Sequence, residues 1–378
     1  MKKIIWLLFG LLVIVSCQKE EEISPNQLQY RVFNNEGGWF MRVDISSDNQ
    51  FILSLRLDSS TFSLWKISSR GYVIWQKTIS LDFSFSQNSI IASSPNHIFL
   101  VGELGNDPSS TSGDFVLIRL SDHGDLEWVK IFETSEWESR VTGMKTSDNN
   151  LILCGEKAES CYSGNPFFAK VNLDGDTLWS RTIYESVYIG KYKIIEAKDG
   201  SYLIYGTTGF ELGDENGYIR LIKMDRNGNV LWETSVCKAR WIPFSIAETT
   251  SGDILICGYD YPDAESIPIV CTDANGVMKW VKYYKLWDDG NLGLDFQHCD
   301  DRTFKIFGRA LSDSDEQFGV IKIDESGNEL HKVTYPSLYG EIALKENGDH
   351  TYLFWNQSDF LYMTKLDQNG NPVMLDCW

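Results

Sequence analysis

Met224-Asp225-Arg226-Asn227-Gly228-Asn229-Val230-Leu231-Trp232 decides the fold, because variants of this stretch return seven times in the 378-residue chain. An Asp or Asn that bonds the backbone ahead of it, followed by a glycine able to turn left-handed, is the chemistry of a short hairpin with a bulge. Gly228 has counterparts at Gly71, Gly124, Gly175, Gly276, Gly327 and Gly370. In the first five copies a tryptophan stands four residues after the glycine: Trp75, Trp128, Trp179, Trp232 and Trp280. His331 and Met374 take its place in the last two.

Working outward, each copy has a short β-branched or aromatic run before the turn, such as Phe318-Gly319-Val320-Ile321-Lys322-Ile323, which reads as a strand rather than a helix. Further upstream lies a second tight turn, for example Ser147-Asp148-Asn149 or Ser251-Gly252-Asp253, followed by another apolar strand. Four strands, a to d, in a unit of roughly fifty residues predict an all-β fold, a seven-bladed β-propeller of four-stranded blades. The units occupy 26–378 and leave no room for another domain. Leu28–Phe33 aligns with strand d, so it is expected to supply or double the outer strand of the last blade and close the ring. The competing segment, Asn371–Asp376, carries Pro372 and lacks the tryptophan.

Hydrophobic content of 43% and aromatic content of 13% are enough for a large core and exclude a disordered chain. The net charge of −19 makes nucleic acid an unsuitable partner. At the N-terminus, Lys2 and Lys3 precede an apolar run, Ile4–Val15, too short to span a bilayer.

That run ends in Ser16-Cys17, which resembles the lipobox of bacterial lipoproteins, although Ile14 and Val15 depart from the usual Leu then Ala or Ser. The resemblance implies that residues 1–16 are a signal peptide and that Cys17 is lipidated, giving an outer-membrane lipoprotein anchored to the membrane through Cys17. The mature chain then carries 32 basic against 53 acidic residues. Residues 17–25, with Gln18-Lys19-Glu20-Glu21-Glu22, form an acidic tether, similar to the export tag of surface lipoproteins of Bacteroidetes-type bacteria. The repeat itself, with Asp199-Gly200-Ser201-Tyr202-Leu203-Ile204-Tyr205-Gly206 leading to Ile219–Asp225, resembles propeller lipoproteins and secreted proteins of that group. It is more distantly similar to the tryptophan-docking repeats of quinoprotein propellers, which have eight blades and adjacent cysteines that this chain lacks.

Little in the chain points to catalysis. The strand tryptophans, fixed at one offset from a turn glycine, are expected to pack blade against blade. Asp225–Asn229 and Asn172–Asp176 alternate oxygen-bearing residues, but the glycine comes too early for an EF-hand and no glutamate closes the loop. The five histidines show no metal-ligand spacing, and no phosphate loop, dinucleotide fingerprint or Gly-x-Ser-x-Gly occurs. No cofactor and no metal are expected. Cys257 and Cys271 lie on successive strands where they can face each other, with Cys154 and Cys161 as another near pair.

The a–b and c–d turns are uniform, whereas the b–c and d–a connections vary, and in a propeller those two share one face. Irregular positions are free to serve binding. On that face the d–a segments carry Glu136, Trp137, Glu138, Tyr184, Tyr188, Trp241, Trp287, Asp288, Asp289 and Tyr339, the candidate ligand residues. The b–c segments add Phe210, Asp214, Glu215, Tyr261, Asp263, Asp313 and Asp315. Aromatics among carboxylates suit a glycan or an envelope protein. The reading is therefore a binding or scaffold module; the alternative is a carbohydrate-active hydrolase or lyase with carboxylates over the central channel.

Overall fold

The computed structural model describes residues 31–34, 38, 41–92, 94, 96–105, 113–132, 137–160, 163–183, 193–208, 218–238, 241–260, 265–288, 290–299, 302–310, 317–336, 342–347, 350–357 and 360–373. Residues 1–16, expected to be a signal peptide, Cys17, the expected tether to residue 25 and Tyr30 lie outside them.

The hairpins form where the turn chemistry places them. Asp225 Oδ1 accepts the backbone N–H of Asn227 and Asn229 at 2.9 and 2.8 Å, and Oδ2 accepts Asn229 Nδ2 at 2.9 Å. Gly228 sits at φ 81°, which an L side chain rarely adopts. The ladder slips by one residue between Lys223 and Met224, the expected bulge. Both carboxylate oxygens of Asp225 thus accept hydrogen bonds from its own turn.

These hairpins build seven antiparallel sheets, six of four strands and one, blade 7, whose outer position is shared by two short segments to make five, and no helix occurs among the described residues. Blade 1, for example, comprises Met41–Ile45, Phe51–Arg56, Thr61–Ile67 and Val73–Ser80. The first strands of neighbouring blades touch and form the inner ring of a β-propeller. Each apolar cluster lies between two blades, as where Leu203 and Leu221 of blade 4 meet Ile254 and Val270 of blade 5.

The tryptophans join one blade to the next in a fixed sense. A Cβ on Gly228 would lie 2.7 Å from Trp179, and Trp75, Trp128, Trp232 and Trp280 stand likewise under Gly124, Gly175, Gly276 and Gly327. Each ring covers the c–d turn of the following blade. The rings are half-buried, one edge reaching solvent at the rim. Where His331 replaces tryptophan, Val320 approaches Gly370 instead and Tyr335 donates its hydroxyl to the Gly370 carbonyl.

The ring closes through both termini. Arg31–Asn34 pairs with Phe360–Met363 as the outer strand of blade 7, while Pro372–Val373 pairs with Lys365 and Leu366 further along the same edge. Val43, Phe51 and Trp65 of blade 1 pack with Phe354 and Met363 of blade 7 beneath them.

The expectation that Cys257 and Cys271 can face each other is corrected by the register: Cys257 lies opposite Ile269, and Cys271 opposite Leu255. Both are buried free thiols, as is Cys154, while Cys161 is outside the described residues. Burial pushes the Cys271 thiol up to about 11 and the Cys154 and Cys257 thiols further, so none is a thiolate near neutral pH.

One cross-turn ion pair recurs. An a–b turn aspartate meets a strand-c lysine in blade 1 (Asp48–Lys66, 2.8 Å), blade 3 (Asp148–Lys170, 2.5 Å) and blade 4 (Asp199–Lys223, 2.8 Å). Burial opposes ionisation of Asp148, but the Lys170 ammonium and Thr146 hydroxyl outweigh it and hold the carboxyl at about 2; Asp199 is held at about 2 in the same way by Lys223 and Ser201. A carboxyl depressed in the folded state stabilises above its unfolded value near 3.8 and loses that contribution as pH falls through the folded value. The urea midpoint is therefore expected to be flat above about pH 5 and to fall between about pH 4 and pH 2. Asp148→Asn should lower the neutral midpoint and flatten that acid limb; an unchanged limb would show that the pair does not set it.

Candidate functional site

Antiparallel blades put the variable connections on one face, opposite the uniform turns. Of the residues singled out there, Glu136, Tyr184, Tyr188, Asp289 and Tyr339 lie outside the described residues, as do Phe210, Asp214, Glu215, Tyr261, Asp263, Asp313 and Asp315. Trp137 and Glu138 open strand a of blade 3, and Trp241 opens strand a of blade 5, paired with Ala158, Lys157 and Asp260 respectively. A bulge follows both tryptophans, between Ser139 and Thr142 and between Pro243 and Ser245, so the two starts are equivalent positions on this face.

Trp287 is half-buried and packs against the core between blades 5 and 6, while Asp288 is exposed. Their loop is organised by Asn291, a residue without a sequence signal. Its fully buried amide accepts the N–H of Leu286 and Trp287 at 2.7 and 3.0 Å and donates to the carbonyls of Glu265 and Trp287 at 3.0 and 2.9 Å.

Around the axis, one register of strand a carries Arg42, Ser89, Thr142, Lys193, Ser245, Asp295 and Ala343 from blades 1 to 7. These groups tie blades together. Arg42 Nε donates to the Asn88 carbonyl at 2.7 Å, the Gly143 N–H donates to Ser89 Oγ at 3.0 Å, Lys193 Nζ to the Phe244 carbonyl at 2.8 Å, and Ser245 Oγ to Asp295 Oδ1 at 2.8 Å. Two residues along strand a, Asp44 accepts the Ala92 N–H at 2.8 Å on one oxygen and meets Lys345 Nζ at 3.0 Å on the other. Burial opposes the Lys345 charge, yet the Asp44 carboxylate beside it raises its pKa. Asp44 and Asp295 are therefore channel carboxylates already engaged in holding blades.

The same face carries a cavity of about 660 Å³ in the seam between blades 1 and 2. Its size falls within the ordinary range of ligand pockets, about 300–1,000 Å³. Arg42, Ser54, Arg56 and the Leu57–Ser59 connection line it from blade 1, and Ser86, Gln87 and Asn88 from blade 2. Phe62, buried edge-on against Phe85, gives it an apolar wall. The walls are fixed across the seam: Gln87 Nε2 donates to Ser54 Oγ at 2.6 Å, and the Phe85 and Leu81 N–H groups donate to the Ser59 and Ser60 carbonyls at 2.8 and 2.9 Å. A bulge interrupts strand a here, between Gln87 and Ser89.

Arg56 Nε donates to the Asp58 carbonyl at 2.9 Å, which fixes the plane of the guanidinium. The Asp58 carboxylate turns away to Ser60, accepting its N–H at 2.7 Å and its hydroxyl at 3.1 Å, and the Ser60 N–H foremost holds the Asp58 carboxyl below its ordinary value. Sequence reading missed this site because its residues carry no motif. A signal existed in the comparison of blades: Ser54 occupies the strand-b position that holds Val101, Cys154, Tyr205, Cys257, Phe307 and Phe354 in the others.

No protein-family model and no curated protein matches the chain. Solved propellers share its shape. The polysaccharide lyase Uly1 is 13% identical at a TM-score of 0.57, covering 93% of this chain and 94% of its own. A protein of unknown function from Dyadobacter fermentans DSM 18053 is 10% identical at 0.54, covering 74% and 94%. A puromycin hydrolase is 10% identical at 0.55, covering 91% of this chain and 54% of its own. At such identities the likeness is one of fold, and the chain is similar to these propellers in architecture alone.

Proposed function

We propose that the chain is a cell-envelope binding module, tethered to the membrane through Cys17, which holds a glycan or envelope-protein ligand on its variable face. The observation that carries this reading is the seam cavity of about 660 Å³ on that face, whose walls are hydrogen-bonded across two blades and whose lining is rich in donors. Binding is favoured over hydrolysis or lysis by the state of the carboxylates. Asp58 at the cavity is engaged by Ser60, and Asp44 and Asp295 are engaged within the channel, so all three carboxylates already serve the fold. That a polysaccharide lyase is among the proteins of similar fold supports a glycan as the ligand.

The purified protein is expected to retain oligosaccharides or an envelope protein on a glycan array and in pull-downs, with no new reducing ends or unsaturated products released. Trp137, Trp241 and Trp287 changed together to alanine should weaken retention if the ligand extends from the cavity across this face. Turnover of a bound oligosaccharide would overturn the binding reading in favour of an enzyme, and absence of any retained ligand would reject the face.

A further inference from the structure

We infer that the cavity between blades 1 and 2 recognises a carboxylate-bearing sugar, a uronic acid unit within an oligosaccharide. This rests on the reading of the variable face as a binding face and specifies the chemistry of its ligand. The lining set contains two guanidinium groups against one carboxylate, in a chain of net charge −19. That local excess of positive charge is contrary to the rest of the molecule. At physiological ionic strength the overall repulsion is screened beyond about 8 Å, whereas an anion inside the cavity meets the Arg56 guanidinium at contact.

Geometry narrows the anion further. Both arginines are anchored through Nε to a main-chain carbonyl, Arg42 to Asn88 at 2.7 Å and Arg56 to Asp58 at 2.9 Å. Anchoring at Nε leaves the two terminal amino groups of Arg56 without a partner among the described residues, in a plane already set. Two parallel N–H donors in one plane match a carboxylate bidentately. A ligand that finds them fixed does not have to immobilise a long side chain.

The remaining lining suits a sugar ring rather than a bare anion. Ser59 and Ser86 offer hydroxyls, and Asn88 lines the same wall, its buried Nδ2 without a hydrogen-bond partner among the described residues. Gln87 and Ser54, 8% and 2% exposed, hold each other and form a polar floor, while the half-buried Leu57, backed by the buried Phe62 ring, supplies apolar surface for a sugar's C–H face. The volume exceeds what a lone inorganic anion fills.

Titration calorimetry of the purified full chain with trigalacturonate, neutral galactotriose and sodium sulfate tests the assignment. Trigalacturonate should bind at least tenfold more tightly than galactotriose, weaken with added salt, and compete only poorly with sulfate. Arg56→Gln should weaken it by about tenfold or more with the thermal transition unchanged, and Arg56→Lys should restore part of the loss. Ser86→Phe, which fills the cavity from the other blade, should abolish binding even if an arginine variant fails to fold. Equal affinity for the acidic and neutral trisaccharides, or indifference to both Arg56→Gln and Ser86→Phe, overturns the acidic-sugar assignment while the binding-face reading stands. Binding of sulfate as tight as that of trigalacturonate overturns the sugar and leaves an anion site. Failure of every saccharide to bind overturns the inference, and the array and pull-down result then decides separately whether the face binds anything.

Discussion

Removal of residues 26–34 should lower the stability of the protein by about 3–5 kcal/mol and its melting temperature by several degrees. Arg31–Asn34 contributes four paired positions, Arg31 with Met363 through Asn34 with Phe360, and without them the outer edge of Phe360–Met363 is open. Phe33 also meets Trp65 edge-on at 6.1 Å over the core shared by blades 1 and 7, so the deletion removes an aromatic contact between the last blade and the first. The C-terminal segment cannot slide along to replace it. Pro372 lacks an N–H to donate, and Pro372–Val373 is already held opposite Lys365 and Leu366. An open edge is also a template for pairing with another chain, so the truncated protein should associate as its concentration rises, visible by light scattering. A truncated protein that melts with the intact one and stays monomeric would show that the C-terminal pairing alone closes the ring.

Asn291→Ala is expected to cost about 3–4 kcal/mol, large for one polar side chain. Four hydrogen bonds converge on a fully buried amide, each worth roughly 1 kcal/mol, and the Leu286 N–H loses its acceptor where water does not reach. Asn291→Asp keeps the acceptor oxygen but loses both donors to the Glu265 and Trp287 carbonyls, and should be no better tolerated. The local consequence is separable from the global one. The Leu286–Asn291 loop, which holds Trp287 against the core between blades 5 and 6, should lose amide-exchange protection before the other blades do. A urea midpoint within experimental error of the parent would mean the loop holds without its amide.

The fold was legible because its cause is local and repeated. Asp225, Gly228 and Trp232 are read within one hairpin, and six further copies turn a turn signal into an architecture. Even the closing strand could be placed, since Leu28–Phe33 shares the register of strand d, and the structure pairs its second half with blade 7. The opening stretch of Asp, Asn and Trp around a glycine invites a chemical reading, but the carboxylate serves its own turn and the tryptophan covers the turn of the next blade.

The candidate site was much less legible. Aromatic and acidic residues on the variable connections marked a candidate face, where Trp137 and Trp241 open equivalent strands, whereas Trp287 is partly committed to the core. Arg42, Arg56, Gln87 and Asn88 were passed over because no two of the groups that cooperate across the seam belong to one motif. Sequence by itself determined what depends on neighbours along the chain: hairpin turns, strand lengths, the number of blades and the face left free of uniform turns. Tertiary structure alone decided what depends on neighbours across blades: which tryptophan meets which glycine, and that Arg42 and Arg56 of blade 1 share one cavity with Gln87 and Asn88 of blade 2. The reason is that a blade's faces are filled by the blades beside it, about fifty residues away, and that distance in sequence carries no trace of which side chains will meet.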